Sequence, residues 1–280
     1  MLEFITLAFM QRALLAGLLT AVTLSLLGVF VVLRRSAFFG DAVAHFAFAG
    51  IAVGFLLGLN PVLTAVIVSL LLALGMGVIQ RHAPGQSLDT IIGIFFSGAA
   101  ALGIFIIGLL RGFRVDLFQF LFGDIVAITP TDVVYSLLLL ILVGSLLAFT
   151  WRPLFKITFN QEIAAVSGVN VGLYEYLFLA LLAIATALSI KIVGIILVPA
   201  LLVIPAATAK NLSQSFRALV LLSAAISLVS VLAGLVGSFY LNTASGATIV
   251  LVSIVFFLTS LLLPNSRKLN LSKLKSSQIK

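Results

Sequence analysis

The sequence predicts an all-α polytopic membrane protein with about nine transmembrane helices. Apolar residue types make up 62% of the 280 residues, charged types make up 9%, and the mean hydropathy is +1.33. A soluble domain carries about 25% charged residues, so this chain has too few charges to cover a water-facing surface. Within lipid, long apolar segments satisfy their backbone hydrogen bonds by forming helices, which sets the fold class.

Nine apolar runs approach the roughly 20 residues that a helix needs to cross the hydrocarbon core. In chain order they are residues 13–33, 37–59, 61–80, 89–110, 133–151, 176–190, 192–209, 216–241 and 247–263. Asn60 and Pro61 mark the turn between the second and third runs, with Pro61 starting a helix. Pro199 and Pro205 predict a kink or break in the seventh run. Because only Lys191 separates the sixth run from the seventh, nine is the favoured count and eight or ten remain open.

The segments between the runs complete the domain organisation. Residues 111–132 are amphipathic and rich in phenylalanine, which predicts an interfacial segment rather than a span. Residues 152–175 form the longest polar connection, and residues 265–280 form a basic tail. We therefore expect one transmembrane domain over residues 1–264, followed by a cytoplasmic tail.

The basic residues indicate the orientation of the chain. Nine spans with the tail inside place the N-terminus outside, and most of the 16 Lys and Arg residues then lie on the cytoplasmic side. The net charge of +8 therefore reflects membrane orientation and does not indicate nucleic-acid binding. The sequence has no phosphate-binding loop of the GxxxxGK type, so any nucleotide hydrolysis must take place on another chain.

Asp41 and His45 are the main candidates for a functional site. They are four residues apart in the second run, so they share one face of a helix. Ionisable groups in an apolar span usually face a protein interior or a water-filled path, and this pair offers oxygen and nitrogen ligands suited to zinc or manganese. The same spacing also fits an interfacial cap or ion-pair partner at Asp41 and a packing histidine at His45. Spacing alone leaves both interpretations open.

A short amphipathic helix is predicted within residues 158–172. Asn160 can cap it, Glu162 falls in its first turn, and Gly168 can end it. Ile163, Ala164 and Val166 would form an apolar patch on this cytoplasmic loop. Such a helix either lies on the membrane surface or receives a cytoplasmic partner.

Several segments, in this order, resemble a known family. They read GDAVAH at 40–45, VDL at 115–117, LFGDIVA at 121–127, EIAAVSG at 162–168 and VIPAATA at 203–209. Together they resemble the membrane permease subunit of bacterial ABC importers for zinc, manganese or iron, across residues 8–263. RVDL at 114–117 and FGD at 122–124 place the resemblance closest to the zinc-uptake branch.

The resemblance implies a type II ABC importer fold in the bacterial cytoplasmic (inner) membrane. Two permeases would form a homodimer around a central path for a divalent transition metal, zinc in the closest branch, with no permanently bound cofactor. Asp41 and His45 would be the metal ligands. A cytoplasmic ATPase subunit would dock on the coupling loop, residues 152–175, through Glu162, Ala164, Ala165 and Gly168. An extracytoplasmic metal-binding protein would deliver the ion.

Other functional classes predict different behaviour. An ion- or proton-coupled secondary transporter would use Asp41 or His45 as a proton relay and need no ATPase. A purely structural membrane subunit would tolerate loss of both residues. An enzyme needs a nucleophile, a base or a fuller metal set, and no such motif is present in the sequence, so we expect a transport permease.

Overall fold

The computed structural model describes residues 7–82, 85–109, 123 and 127–262, and within these ranges every regular element is a helix. The helices are α1 (Ala8–Leu33), α2 (Ala37–Leu57), α3 (Pro61–His82), α4 (Leu88–Leu109), α5 (Pro130–Phe159), α6 (Gln161–Val166), α7 (Val171–Val193), α8 (Leu197–Leu212), α9 (Phe216–Leu241) and α10 (Ser245–Leu262). Most of the predicted interfacial segment and the whole basic tail lie outside the described residues.

The all-α membrane prediction is confirmed. Eight of these helices are long and apolar enough to cross a membrane, and α8, with 16 residues, is a shorter apolar helix. Together they correspond to the nine predicted spans in the part of the chain that the structure describes. The remaining helix, α6, has six residues and lies between α5 and α7.

Local signals in the sequence explain where α3 begins. The side-chain oxygen of Asn60 accepts hydrogen bonds from the backbone amides of Val62 and Leu63 at 3.0 and 3.2 Å. Pro61 occupies the first helical position, where the missing amide proton costs no helical hydrogen bond. The predicted turn is therefore present at the predicted place.

Helix α5 is longer than predicted. It runs from Pro130 to Phe159, whereas the charges of Arg152 and Lys156 suggested an end near residue 151. These two residues are four apart and both exposed, so one face of the helix carries the charges into water while the helix continues. At the other end, Thr129 and Asp132 form a reciprocal capping box.

The boundary between the sixth and seventh spans was predicted wrongly. Helix α7 continues past Lys191 to Val193, and the break falls at residues 194–196, before both prolines of α8. Lys191 is an ion-pair residue: its Nζ lies 2.7 Å from Oδ1 and 2.9 Å from Oδ2 of the buried Asp132. The pair joins α7 to the start of α5.

Helices α1 and α2 form the centre of the bundle. Each buries 67% of its most apolar 18-residue stretch, compared with 28% for α4 and 22% for α5. Helix α2 packs against α3, α4, α7 and α8, and α1 packs against α5, α8 and α9. The outer helices present large apolar side chains that match a lipid solvent. Asp41 and His45 thus lie on one of the most deeply buried helices of the described bundle.

The two ends of the bundle agree with the predicted sidedness. Arg34 donates from Nε to Thr158 Oγ1 at 3.1 Å, and Arg81 Nη2 lies 3.1 Å from Glu175 Oε2, so residues predicted for the cytoplasmic side meet at one end. Residues predicted for the external side line a different cavity of about 510 Å³, among them Asn60, Asp132 and Lys191.

Candidate metal site and coupling helix

Asp41 and His45 lie on one face of the N-terminal half of α2, as their spacing predicts. Both are half-buried, whereas the residues between and just after them are 0% exposed: Ala42, Val43, Ala44, Phe46 and Ala47. The apolar surroundings enclose the rest of this helix segment. Asp41 and His45, which could bind a metal ion, therefore lie on the face of α2 that the described bundle leaves partly open.

The hydrogen bond of His45 fixes which ring nitrogen is free. Its Nδ1 lies 3.0 Å from the backbone carbonyl oxygen of Asp41. A carbonyl oxygen only accepts, so Nδ1 donates, and in the neutral ring Nε2 keeps its lone pair. Nε2 is then available to a metal ion, with the ring oriented by the bond at Nδ1.

The carboxylate of Asp41 has no hydrogen bond or ion pair with any described residue. The ion-pair interpretation of Asp41 therefore has no support in the described part of the chain. The same part holds no group of three or more His, Cys, Asp or Glu residues that could bind a metal. One copy of the chain thus offers two ligands at this face, fewer than the four of a closed zinc site.

Helix α4 borders the site and was not predicted to contribute. The ring of Phe96 packs edge-on against His45 with 4.3 Å between ring centroids. Gly93 and Ser97 on the same helix are exposed, and a side chain added at Gly93 would meet no described heavy atom within 4 Å. The sequence gives no signal for this contact, because the two residues lie 51 positions apart in the chain.

The predicted short helix is present as α6. The Asn160 side-chain oxygen accepts from the Ile163 amide at 3.0 Å, Glu162 lies in the first turn, and Gly168 follows with a φ of +78°. That backbone angle is in the left-handed region, which favours glycine. The capping and termination predictions are therefore confirmed.

The exposed surface of α6 differs from the predicted one. Ala164 is 0% exposed because α6 packs one face on α5 and α7, so it cannot belong to the apolar patch. Ile163 and Val166 are 65% and 92% exposed, and Glu162 and Ala165 are also exposed. A partner would therefore meet Ile163 and Val166, with Ala164 serving as the contact to the bundle.

One carboxylate connects α6 to two other helices. Glu175, in the first turns of α7, accepts from Gln161 Nε2 at 2.6 Å and from Arg81 Nη2 at 3.1 Å. Gln161 is the first residue of α6, and Arg81 is in the last turn of α3. Sequence reasoning did not identify this network, because its members come from distant positions that only the fold brings together.

The same network borders a cavity of about 570 Å³ at the cytoplasmic end of the bundle. Arg34 lines this cavity and lies over the ring of Phe178, with its guanidinium carbon 4.7 Å from the ring centroid. Burial lowers the pKa of the Arg34 guanidinium, and the negative charge of Glu175 opposes that effect. Arg34 and Glu175 thus place a positive and a negative charge at the wall of this cavity, close to α6.

Known proteins share both the sequence and the fold. Residues 6–264 match the ABC 3 transport family. The chain is 38% identical to the high-affinity zinc uptake system membrane protein ZnuB of Haemophilus influenzae, covering 90% of this chain and 98% of that protein. It is 34% identical to the manganese transport system membrane protein MntC of Halalkalibacterium halodurans, covering 91% and 87%.

A solved structure extends the likeness to three dimensions. PsaBC from Streptococcus pneumoniae in complex with Fab matches with a TM-score of 0.85 and 32% identity, covering 97% of this chain and 99% of that chain. The bundle of apolar helices is therefore a permease fold and not an enzyme scaffold. The chain belongs to the ABC 3 transport family and is the multi-pass permease subunit of a bacterial ABC metal importer in the cytoplasmic membrane.

Proposed function

We propose that this permease carries zinc inward, with Asp41 and His45 as transient ligands in the path. The observation that carries the proposal is the partly open face of α2, where no described residue forms a hydrogen bond or ion pair with the Asp41 carboxylate or a hydrogen bond with His45 Nε2. Zinc accepts both ligand types, and imidazole suits zinc better than manganese. Similarity to the zinc-system protein ZnuB, at 38% identity, points the same way.

A symmetric dimer would complete the ligand set. Two copies would supply two carboxylates and two imidazoles, which is the number of ligands in a tetrahedral zinc site. Helix α4, beside His45, has an exposed face with glycine and serine at positions 93 and 97, where another helix could approach closely. Even a complete set should bind weakly, because the ion has to leave as well as enter.

The energy would come from a cytoplasmic ATPase subunit that docks on α6. Ile163 and Val166 offer exposed apolar contacts, and Glu175 links the start of α6 to α3 and α7. Movement of the docked partner would therefore displace α3 and α7, which pack on α2. An extracytoplasmic metal-binding protein would deliver the ion to the other side of the permease. The secondary-transporter alternative needs no such partner, and membership of an ABC family speaks against it.

The metal is tested with the complete importer reconstituted in proteoliposomes. We expect uptake to require both the ATPase subunit and ATP, and we expect zinc to be preferred over manganese by about tenfold in kcat/KM, since the imidazole ligands favour zinc. Radioactive zinc and manganese are measured singly and in competition. Equal or greater uptake of manganese would overturn the choice of zinc, and uptake without ATP would support the secondary-transporter alternative.

The docking role of α6 predicts the behaviour of Val166, whose side chain is 92% exposed. Val166→Asp would place an unpaired carboxylate in the interface, so we expect the affinity for the ATPase subunit to fall about tenfold or more, a cost above ~1.4 kcal/mol. Val166→Thr keeps the side-chain shape and should change affinity less than threefold. Binding of purified ATPase subunit to permease in nanodiscs gives both values, and equal affinities for the two variants would refute docking at this position.

A further inference from the structure

The proposed metal site leaves open what sets the orientation of the His45 ring. We propose that Phe96 is a positioning residue that holds the His45 imidazole for zinc and thereby contributes to discrimination between zinc and manganese. This inference rests on the proposed role of His45 as a ligand. It adds a residue from a different helix, α4, to a site otherwise built from α2.

Two contacts hold the imidazole of His45 in the described structure. The bond from Nδ1 to the Asp41 carbonyl oxygen, at 3.0 Å, anchors one edge of the ring. A single hydrogen bond still lets the ring tilt about the anchored edge. The ring of Phe96 lies at 4.3 Å between centroids with an interplanar angle of 61°, and this packing limits the tilt. Nε2 is therefore held in one direction by the two contacts together.

The position of Phe96 is itself fixed by close packing between α4 and α2. Seven residues further along α4, a side chain added at Gly103 would overlap the ring of Phe48, at 2.7 Å from Cδ1. Phe95, next to Phe96, packs against Phe46 with 6.1 Å between centroids. The close approach at Gly103 fixes the register of α4 on α2, so Phe96 has a defined place beside His45.

Zinc and manganese should respond differently when the imidazole loses this support. Imidazole is a preferred ligand of zinc, whereas manganese favours carboxylate, carbonyl and water oxygen. Replacing a hydrogen-bonded partner that orients a metal-binding histidine typically changes metal affinity about 10–100-fold, and we expect a packing contact on the same ring to act at the lower end of that range. Loss of the Phe96 ring should therefore weaken zinc binding through His45, while manganese, held mainly by Asp41, should be affected less.

The chain offers a matched control for this test. Phe95 and Phe96 are adjacent, both half-buried on α4, and each packs on an aromatic ring of α2, but only Phe96 touches His45. Phe96→Leu and Phe96→Met remove the ring at the site and keep much of the apolar volume. Phe95→Leu makes the same change one residue away. Phe96→Tyr keeps the ring and should restore the wild-type behaviour.

The readout is the KM for zinc and for manganese in the reconstituted importer. We expect Phe96→Leu and Phe96→Met to raise the KM for zinc about tenfold, with kcat little changed, and to lower the zinc-to-manganese ratio of kcat/KM at least threefold. Phe95→Leu and Phe96→Tyr should keep the wild-type ratio. A general loss of stability would lower transport of both metals and leave that ratio unchanged.

Failure of this inference is distinguishable from failure of the proposed site. If His45→Ala lowers zinc uptake but both Phe96 variants keep the wild-type metal ratio, the positioning role is wrong and the site stands. If His45→Ala leaves uptake of both metals intact, His45 is not a ligand and the positioning role is wrong with it. An equal change of the ratio in Phe95→Leu would also overturn the assignment to Phe96.

Discussion

Replacing Asp41 or His45 with alanine is expected to lower zinc uptake on the order of 100-fold without unfolding the permease. Each change would remove one of the two proposed ligands of a copy, and in the proposed symmetric dimer it would remove that ligand from both copies at once. Both side chains are half-buried on the partly open face of α2, so their loss should leave in place the contacts of the fully buried residues around them. The double variant should lose little more than either single variant, because the ligands act on the same ion.

The control for this prediction is Asp89→Ala. Asp89 is an exposed acid in the first turn of α4, so its replacement removes the same chemical group away from the proposed site. Zinc uptake by this variant should stay within twofold of wild type. Uptake is measured in proteoliposomes with all variants assembled with the ATPase subunit to the same extent. Unchanged uptake of zinc and manganese in Asp41→Ala and His45→Ala would show that neither residue binds the ion during transport.

Gly28→Val is expected to prevent stable assembly of the bundle. A Cβ atom at Gly28 would overlap the backbone carbonyl oxygen of Leu202, so α1 and α8 could no longer approach each other. Backbone atoms cannot move aside as a flexible side chain can, and we expect a loss of about 3 kcal/mol or more in the free energy of unfolding. The effect should spread to the metal site, because Leu202 also packs on Gly40, next to Asp41.

The matched control is Gly75→Val, since a side chain added at Gly75 in α3 meets no described heavy atom within 4 Å. Thermal unfolding in detergent should give a midpoint near wild type for this variant, whereas Gly28→Val should unfold well below it or fail to accumulate. Similar midpoints for the two variants would show that α1 and α8 can separate without cost.

Much of the fold could be predicted because membrane helices depend on local signals. Composition established the fold class, and the ends of several helices followed from single residues, such as Asn60 before α3 and Gly168 after α6. The shared face of Asp41 and His45 followed from helical periodicity alone. Each of these features depends on hydrogen bonds or helical periodicity among residues close in sequence, so the sequence pattern alone could predict it.

The errors came from charges whose partners lie far along the chain. The sequence predicts a boundary between two spans at Lys191, but Asp132, 59 positions earlier, forms an ion pair with Lys191 and α7 continues to Val193. Phe96 beside His45 and Glu175 beside Gln161 and Arg81 likewise depend on tertiary packing. Only a structure or a set of coupled substitutions could reveal such pairs.

The position of Glu175 also has a thermodynamic consequence. Because its carboxylate ties the first residue of α6 to α3 and α7, a shift of α6 would be coupled energetically to the helices that pack on α2. Coupling between two binding sites is reciprocal: if the docked partner changes the affinity of the path for the ion by some factor, the ion changes the affinity for the partner by that factor. If the ATPase subunit docks on α6 as proposed, a metal-loaded permease should therefore bind that subunit with a different affinity from an empty one.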